Sequence, residues 1–219
     1  MRILFLFIDG VGLGENNPQV NPFSKVEMPN LHGLLDGKKL VLETLPETTM
    51  GDRDNLETDR ATLLAIDAGV GVEGLPQSAT GQAILLTGIN VSAEIGYHYG
   101  PKPNQDVAAF LRNGNIFSTL SDQGYKSALL NAYPPGYFAS IESGRRLYSA
   151  IPLAATSAGI PLKTLDDLQA GRALSADFTA QGWRERLELP ETPVLSPSSA
   201  GERMATLARE YSLALFEYW

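Results

Sequence analysis

The sequence predicts an α/β fold with a three-layer core, in which helices cover both faces of a mostly parallel sheet. Short apolar runs alternate with stretches of helical periodicity along the chain, a pattern typical of this fold class. Residues 3–8, Ile-Leu-Phe-Leu-Phe-Ile, have the length and the continuous apolar character of a strand covered on both faces. We expect a single domain over residues 1–219. Residues 147–189, which mix a helical pattern with Pro and Gly, form either a small cap or a plain crossover excursion.

The first half of the chain predicts one further helix and one further strand. Pro29 suits the first turn of a short helix, which Gly37 ends. Residues 62–66 predict another buried strand. Residues 44–59 are polar and rich in turn formers, so we expect a flexible surface loop there.

The second half predicts two helices, each next to a strand. Asn115 is a suitable N-cap for a helix that Gly124 ends, and residues 126–130 predict the strand that follows. Ser196 and Pro197 are typical of a helix start. The apolar face of that helix has the spacing i, i+3, i+4, i+7, with Met204, Leu207, Ala208 and Tyr211.

Residues 212–219 predict a final hydrophobic strand, and the sequence stops on it. In open α/β sheets the loops after the strands carry the ligand-binding groups. We therefore expect the sequence to be the N-terminal part of a longer domain; the alternative is that this strand simply closes the sheet. An exposed final strand would also offer an edge for pairing with a second copy, which makes a homo-oligomer possible.

Composition excludes several classes of function. The chain has 17 Lys and Arg but 25 Asp and Glu, which gives a net charge of −8. This negative charge argues against binding nucleic acid or anionic membranes. No apolar run approaches the roughly 20 residues of a membrane span, and the opening apolar run is too short for a signal peptide, so we expect a cytoplasmic protein. Without cysteine, the chain has no disulfide, thiolate metal ligand or thiol nucleophile.

The first candidate site follows the opening strand. Asp9 precedes the glycine pattern G-x-G-x-G at residues 10–14, which lacks the G-x-G-x-x-G spacing of a dinucleotide-binding turn. A carboxylate at the end of a buried strand suits a divalent metal ion. The alternative is an aspartate that caps its own turn.

The second candidate site is the segment of residues 75–88. A turn bounded by Pro76 and Gly81 presents Ser78 and Thr80 at the start of an apolar stretch that should be helical. The N–H groups at a helix start attract phosphate, and a serine there is a candidate nucleophile if its hydroxyl is activated. Ordinary N-capping by Ser78 or Thr80 is the alternative. No histidine is nearby in sequence, which leaves a metal ion, with Asp9 as a ligand, as the activator.

Several short motifs together resemble a known group of enzymes. The chain is similar to the alkaline phosphatase superfamily, and within it to the branch of cofactor-independent phosphoglycerate mutases, phosphopentomutases and related metalloenzymes. The resemblance covers nearly the whole chain. The motifs that carry it are Ile8-Asp9-Gly10, Met28-Pro29-Asn30-Leu31, Ser78 ten residues before Gly88, and the segments 74–88, 96–104 and 131–135.

The resemblance implies an alkaline-phosphatase-like core with a site for two divalent metal ions, zinc, manganese or magnesium. It assigns Asp9 as a metal ligand and Ser78 as a metal-bound nucleophile that takes the phosphoryl group from a small phosphorylated metabolite. Transfer to water makes the enzyme a phosphomonoester hydrolase, and transfer to another hydroxyl of the same molecule makes it a phosphomutase. Gln82 stands where mutase relatives have histidine. Residues with polar or cationic side chains near these motifs are candidates for substrate contact: Thr80, Gln82, Lys102, Arg145 and Arg146. For the last three, solvated surface charge is the alternative.

The remaining ligands of the family would follow the final strand, beyond Trp219. Neither His32 nor His98 matches their motifs. We therefore expect a truncated form with an incomplete metal site and little or no activity of its own. The alternative is a non-catalytic binding protein that kept the fold and lost the two-metal centre.

Overall fold

A computed structural model describes residues 1–47 and 54–218, and it confirms the α/β class. The strands are β1 (Ile3–Ile8), β2 (Leu56–Glu57), β3 (Thr62–Leu63), β4 (Ser127–Leu129) and β5 (Leu213–Tyr218). The helices are α1 (Pro22–Lys25), α2 (Pro29–Leu34), α3 (Ser78–Thr87), α4 (Val91–Ile95), α5 (Gln105–Asn113), α6 (Ile116–Asp122), α7 (Pro135–Glu142), α8 (Ala150–Ser157), α9 (Leu165–Gln169), α10 (Gln181–Arg186) and α11 (Pro197–Ala208). A short 3₁₀ helix spans Leu42–Thr44.

The chain divides into two compact units. The larger unit combines Met1–Asp9 with Gly69–Trp219, and the smaller unit is Gly10–Ala68. Both candidate residues, Asp9 and Ser78, belong to the larger unit.

A three-stranded parallel sheet forms the centre of the larger unit. Its strand order is β1-β5-β4, and the register sets Ile3 beside Leu213 and Ile8 beside Tyr218. The last strand of the sequence is therefore the middle strand of this sheet. The expectation that β5 exposes an edge is wrong, because β5 is paired on both sides; among the described strands, β1 and β4 form the two edges.

The sheet packs against helices on both of its faces. Leu213 and Leu215 of β5 contribute to one apolar cluster, with residues of α3, α5, α6 and α8. Ala214 and Phe216 point to the opposite face and join a second cluster with α11. This alternation follows from the two-residue period of a strand. Burial on both faces explains why β5 is apolar at nearly every position.

Beyond β4, the segment from 147 to 189 continues the larger unit. Helix α8 packs within the main apolar cluster, with Ala150 and Ile151 buried. The stretch that follows forms α9 and α10, which enclose a smaller cluster around Leu168 and Trp183. Backbone bonds from residues 163 and 174 join the chain after β4.

The smaller unit has a core of leucines. Leu35, Leu45 and Leu56 are buried together, beside the antiparallel pair of β2 and β3. The prediction of a buried strand over residues 62–66 is wrong. The strand stops at Leu63, and Ile66 is 77% exposed.

The loop predicted at residues 44–59 is only partly described. Residues 48–53 lie outside the described residues. At the two ends of the range, Leu45 and Leu56 are core residues of the smaller unit, so these ends are not the surface loop that was expected.

Local capping signals were predicted correctly. The Asn115 side chain accepts from the N–H groups of Phe117 and Ser118 in a capping box at the start of α6. Ser196 accepts from the N–H of Ser199 and begins α11, with Pro197 in its first turn. Such caps depend on a few adjacent residues, so they can be recognised without knowledge of the fold.

No helix among the described residues is both long enough and apolar enough to cross a membrane.

Candidate functional site

The larger unit brings the two main candidate residues into direct contact. The Ser78 hydroxyl lies 3.0 Å and 3.2 Å from the two carboxylate oxygens of Asp9 and donates a hydrogen bond to that carboxylate. The two residues are 69 positions apart in the sequence. Asp9 is exposed and Ser78 is half-buried, so both remain accessible to a small ligand.

The position of Asp9 follows from the sheet. It comes directly after β1, and its N–H donates to the Tyr218 carbonyl at 3.2 Å, which continues the β1–β5 ladder by one step. Asp9 therefore lies at the carboxyl edge of a parallel sheet, where α/β proteins bind their ligands.

The position of Ser78 follows from α3, which begins with it. The N-cap is Gln77, which makes no side-chain capping bond. The alternative that Ser78 or Thr80 caps this helix is therefore wrong. The Ser78 hydroxyl donates to Asp9 instead and makes no capping hydrogen bond within α3.

The first turn of α3 also offers free backbone donors. The N–H of Thr80 donates to the Tyr99 carbonyl, and the N–H of Gly81 donates to Gln77. Within the described part of the chain, the N–H groups of Ser78 and Ala79 have no hydrogen-bond acceptor. Unpaired N–H groups at a helix start, together with the helix dipole, favour an anion such as phosphate.

A loop packs closely against this helix start and holds it in place. The Tyr99 N–H donates to the Thr80 hydroxyl at 3.2 Å, while the Thr80 N–H donates to the Tyr99 carbonyl at 3.0 Å. A Cβ atom on Gly100 would lie 3.1 Å from the Ser78 nitrogen and 3.0 Å from the Gln77 Cβ. Both distances are shorter than ordinary contacts of a Cβ atom, so any larger residue at position 100 would press on the start of α3.

Two of the predicted substrate contacts are buried in α3. Thr80 is fully buried, and its hydroxyl bonds to backbone groups of Tyr99 and Gln77. Gln82 lies beside Phe5 and Phe7 of β1, and its Oε1 atom is buried without a hydrogen-bond partner. Neither side chain contacts Asp9 or Ser78 among the bonds of the described residues. Their role in substrate binding stays a prediction.

The predicted cationic contacts lie on the surface. Arg145 donates to the Ser143 hydroxyl, and Arg146 lies over the ring of Tyr137, 4.8 Å from its centroid. Lys102 is half-exposed in the loop before α5. No bond between described residues joins any of the three to the Asp9–Ser78 pair, so their contact with substrate also stays a prediction.

Neither histidine nor any larger cluster of ligand side chains adds a metal site to the described part of the chain. His98 has both ring nitrogens within 3.2 Å of other groups, the Ser92 hydroxyl and the Val72 carbonyl. The described residues contain no group of three or more His, Asp and Glu side chains placed to hold a metal ion.

Sequence reasoning missed a buried polar cluster at the same edge of the sheet. The Tyr133 hydroxyl donates to the Glu217 carboxylate at 2.8 Å, and the Asn131 side chain bonds to both backbone groups of Glu217. Burial, followed by the electrostatic effect of Glu217 and its hydrogen bond, raises the pKa of Tyr133 well above the ordinary value. The signal was present in the sequence, since Glu217 interrupts an otherwise apolar strand.

No protein-family model, curated protein or solved structure matches this chain. The site is therefore interpreted from its own geometry.

Proposed function

We propose that Asp9 and Ser78 form the nucleophile-bearing half of a metal-dependent phosphoryl-transfer site, acting on a small phosphorylated metabolite. The observation that carries the proposal is the contact of 3.0 Å between the Ser78 hydroxyl and the Asp9 carboxylate at the carboxyl edge of the sheet. The resemblance to the alkaline phosphatase superfamily points to the same two residues. The proposal includes the larger three-layer core of that superfamily, of which the three described strands would be a part.

In this proposal Ser78 is the nucleophile. Its oxygen forms a bond to phosphorus while the ester bond to the leaving alcohol breaks. The Asp9 carboxylate orients the attacking hydroxyl and accepts its proton, and the leaving oxygen departs as the alcohol with a proton from water. The free N–H groups of Ser78 and Ala79 bind the non-bridging oxygens of the phosphoryl group, where negative charge must be stabilised. Attack by water on the phosphoserine then releases phosphate, and attack by a second hydroxyl of the substrate gives a mutase.

Asp9 and Ser78 offer oxygen ligands of the type that divalent cations bind, but two ligand residues are too few for a complete site. Carboxylate and hydroxyl oxygens are ligands for magnesium, manganese and zinc, so the neighbouring oxygens of Asp9 and Ser78 would together hold such an ion. A bound cation lowers the pKa of a serine hydroxyl and neutralises phosphoryl oxygens. Two ligands are fewer than the three protein ligands of a typical catalytic zinc site, so further ligands are needed for full activity.

The experiment is an assay of phosphomonoester hydrolysis, with p-nitrophenyl phosphate as the probe and manganese, zinc or magnesium added. We expect slow, metal-dependent hydrolysis that Ser78→Ala lowers by at least about 100-fold, as expected for loss of a nucleophile. Ser140→Ala is the matched control, because Ser140 is a half-buried helical serine, like Ser78, and its hydroxyl donates to the Gly136 carbonyl. Mass spectrometry of quenched reactions should find the phosphoryl group on the peptide that contains Ser78.

Full activity of the Ser78→Ala variant would overturn the assignment of the nucleophile. Calorimetry gives an independent readout, because manganese should bind to the native chain and bind more weakly to Asp9→Asn. If neither hydrolysis nor metal binding is measurable with these ions in excess, the phosphoryl-transfer proposal fails for this chain, and a non-catalytic binding protein becomes the better hypothesis.

A further inference from the structure

One edge of the three-stranded sheet is open. β1 pairs with β5 over its whole length, and no other described strand lies beside it. The opposite edge differs, because Leu174 donates to the Leu130 carbonyl and Lys163 accepts from Tyr133, which extends the bonding beyond β4. In the part of the chain described, the larger unit thus adds backbone bonds to the residues just after β4, whereas β1 has no such bonds on its outer side.

The backbone groups at the open edge belong to three apolar residues. The N–H groups of Ile3 and Asp9 donate to β5, so the alternation of the ladder directs those of Leu4, Leu6 and Ile8 away from it. The side chains of these three residues are 37%, 49% and 46% exposed. An apolar edge strand with unpaired backbone groups is a template for another strand.

We propose that β1 pairs in antiparallel fashion with β1 of a second copy of this chain, with Leu6 opposite the partner's Leu6. The two sheets then form one continuous sheet across a two-fold axis. The interface ends beside Asp9 and therefore adjoins the proposed phosphoryl-transfer site, but the oligomeric state that tests it is measured independently of hydrolysis.

The register follows from the pattern of backbone bonds. Only the even-numbered residues of β1 have outward-facing N–H and C=O groups, so bonded pairs must join even-numbered residues. With Leu6 on the two-fold axis, Leu4 lies opposite the partner's Ile8. On the other face Phe5 lies opposite the partner's Phe7. Residues directly opposite in a sheet contact each other, so the pairs formed by residues 4–8 are apolar on both faces, while Ile3 lies opposite the partner's Asp9.

The charges at the two ends of β1 favour the same arrangement. Arg2 precedes the strand, and Asp9 follows it. Antiparallel pairing brings the cationic start of each strand beside the anionic end of the other. A parallel copy would place like charges side by side, which is unfavourable. A two-fold axis also closes the assembly at two chains.

Analytical ultracentrifugation of the chain across a concentration series is the first test. We expect a species of twice the 23.6 kDa monomer mass at the higher concentrations. Leu6→Lys should abolish it, because like charges would then lie directly opposite each other. Leu147→Lys is the control: Leu147 is 63% exposed and is not part of β1, so this variant should still dimerise. A wild-type chain that stays monomeric throughout would overturn the proposal.

Single cysteines test the register, because the natural chain has none. Bonded antiparallel pairs have Cα atoms about 5.5 Å apart, within the range of a disulfide. Leu6→Cys should therefore form a covalent dimer under mild oxidation. Leu4→Cys should not link to itself, but should link to Ile8→Cys when the two variants are mixed. Equal self-linking of Leu4→Cys and Leu6→Cys would indicate random collision and overturn the register.

Discussion

The Glu217 carboxylate, on the central strand β5, accepts a hydrogen bond of 2.8 Å from the Tyr133 hydroxyl, 84 residues earlier in the chain. Glu217 is 2% exposed and Tyr133 is 3% exposed. A carboxyl group in an apolar interior is costly unless it is bonded, so this contact compensates for its burial. This hydrogen bond links the segment after β4 to the end of β5, on the face of the sheet that packs against α3.

Tyr133→Phe tests how much the Tyr133–Glu217 hydrogen bond contributes to stability. The substitution removes the phenolic donor to Glu217 and changes little else, so we expect the free energy of unfolding to fall by about 1.5–3 kcal/mol, the range for hydrogen bonds to charged groups. Urea unfolding followed by circular dichroism measures the loss.

Tyr137→Phe is the matched control for this prediction. The ring of Tyr137 stacks on that of Tyr133 at 4.5 Å, but its own hydroxyl is buried with no hydrogen-bond partner. We expect this variant to be as stable as the wild type or slightly more stable. Equal losses in the two variants would show that the Tyr133–Glu217 bond contributes nothing specific.

Gly100→Ala tests the close approach of a loop to the start of α3. The added Cβ would lie 3.0 Å from the Gln77 Cβ and 3.1 Å from the Ser78 nitrogen, and the backbone cannot move aside without shifting Ser78. We expect a loss of about 1–3 kcal/mol of stability, as for other overpacked sites. We also expect reduced hydrolysis in the assay proposed for Ser78.

Gly201→Ala is the control, since the same added methyl group meets no atom within 4 Å in the exposed middle of α11. Alanine is the better helix former, so this variant should gain about 0.5–1 kcal/mol. A Gly100→Ala protein as stable as the wild type would contradict the close packing.

Much of the fold was predictable wherever a short stretch of sequence determines it. Asn115 and Ser196 were recognised as caps because each bonds to N–H groups two or three residues away. The strand at residues 3–8 was recognised by its apolar run, but the prediction that it is covered on both faces is wrong, because Leu4, Leu6 and Ile8 are 37%, 49% and 46% exposed. The order of strands was not predictable. β1 and β5 pair across some 210 residues, and no short sequence motif indicates which strands become neighbours.

In the candidate site, too, residues marked by their local sequence were predictable and contacts between distant residues were not. Asp9 and Ser78 were each identified from their local sequence, and their contact across 69 residues supports treating them together. Glu217 was missed because a single carboxylate in an apolar strand does not reveal its partner. Residues 62–66 were misjudged because apolar content alone does not distinguish a buried strand from an exposed one.

Asp167 should make a small contribution to stability that depends on pH. Burial alone would raise the pKa of this carboxyl group, but hydrogen bonds from the Thr164 N–H and from Arg172 outweigh it and lower the pKa below the ordinary 3.8. A lowered pKa stabilises the fold above the ordinary value, and this stabilisation is lost as the pH falls below 3.8 through the folded-state pKa. Asp167→Asn should therefore cost about 0.5–1 kcal/mol at pH 7, the scale of partly exposed ion pairs, and almost nothing in strong acid.

Urea unfolding at neutral and acidic pH checks this prediction. Asp166→Asn is the control, because Asp166 is in the same first turn of α9 but makes no ion pair within the described chain. The explanation fails if Asp167→Asn costs the same at both pH values, since the effect would then not depend on the carboxylate.

Thr80→Val separates a structural role of Thr80 from the substrate contact that its sequence position predicted. Valine has nearly the shape of threonine, but it cannot accept the hydrogen bond from the Tyr99 N–H. Because a backbone donor deprived of its partner is costly, we expect a loss of about 1–3 kcal/mol in the free energy of unfolding. Thr80→Ser keeps the hydroxyl and removes only a methyl group, so it should retain the bond to Tyr99 and lose less stability.

If Thr80 acts only by positioning α3, substrate affinity in the phosphomonoester assay should be nearly unchanged in Thr80→Ser. A large rise in KM for Thr80→Val with unchanged stability would instead indicate that the hydroxyl binds substrate.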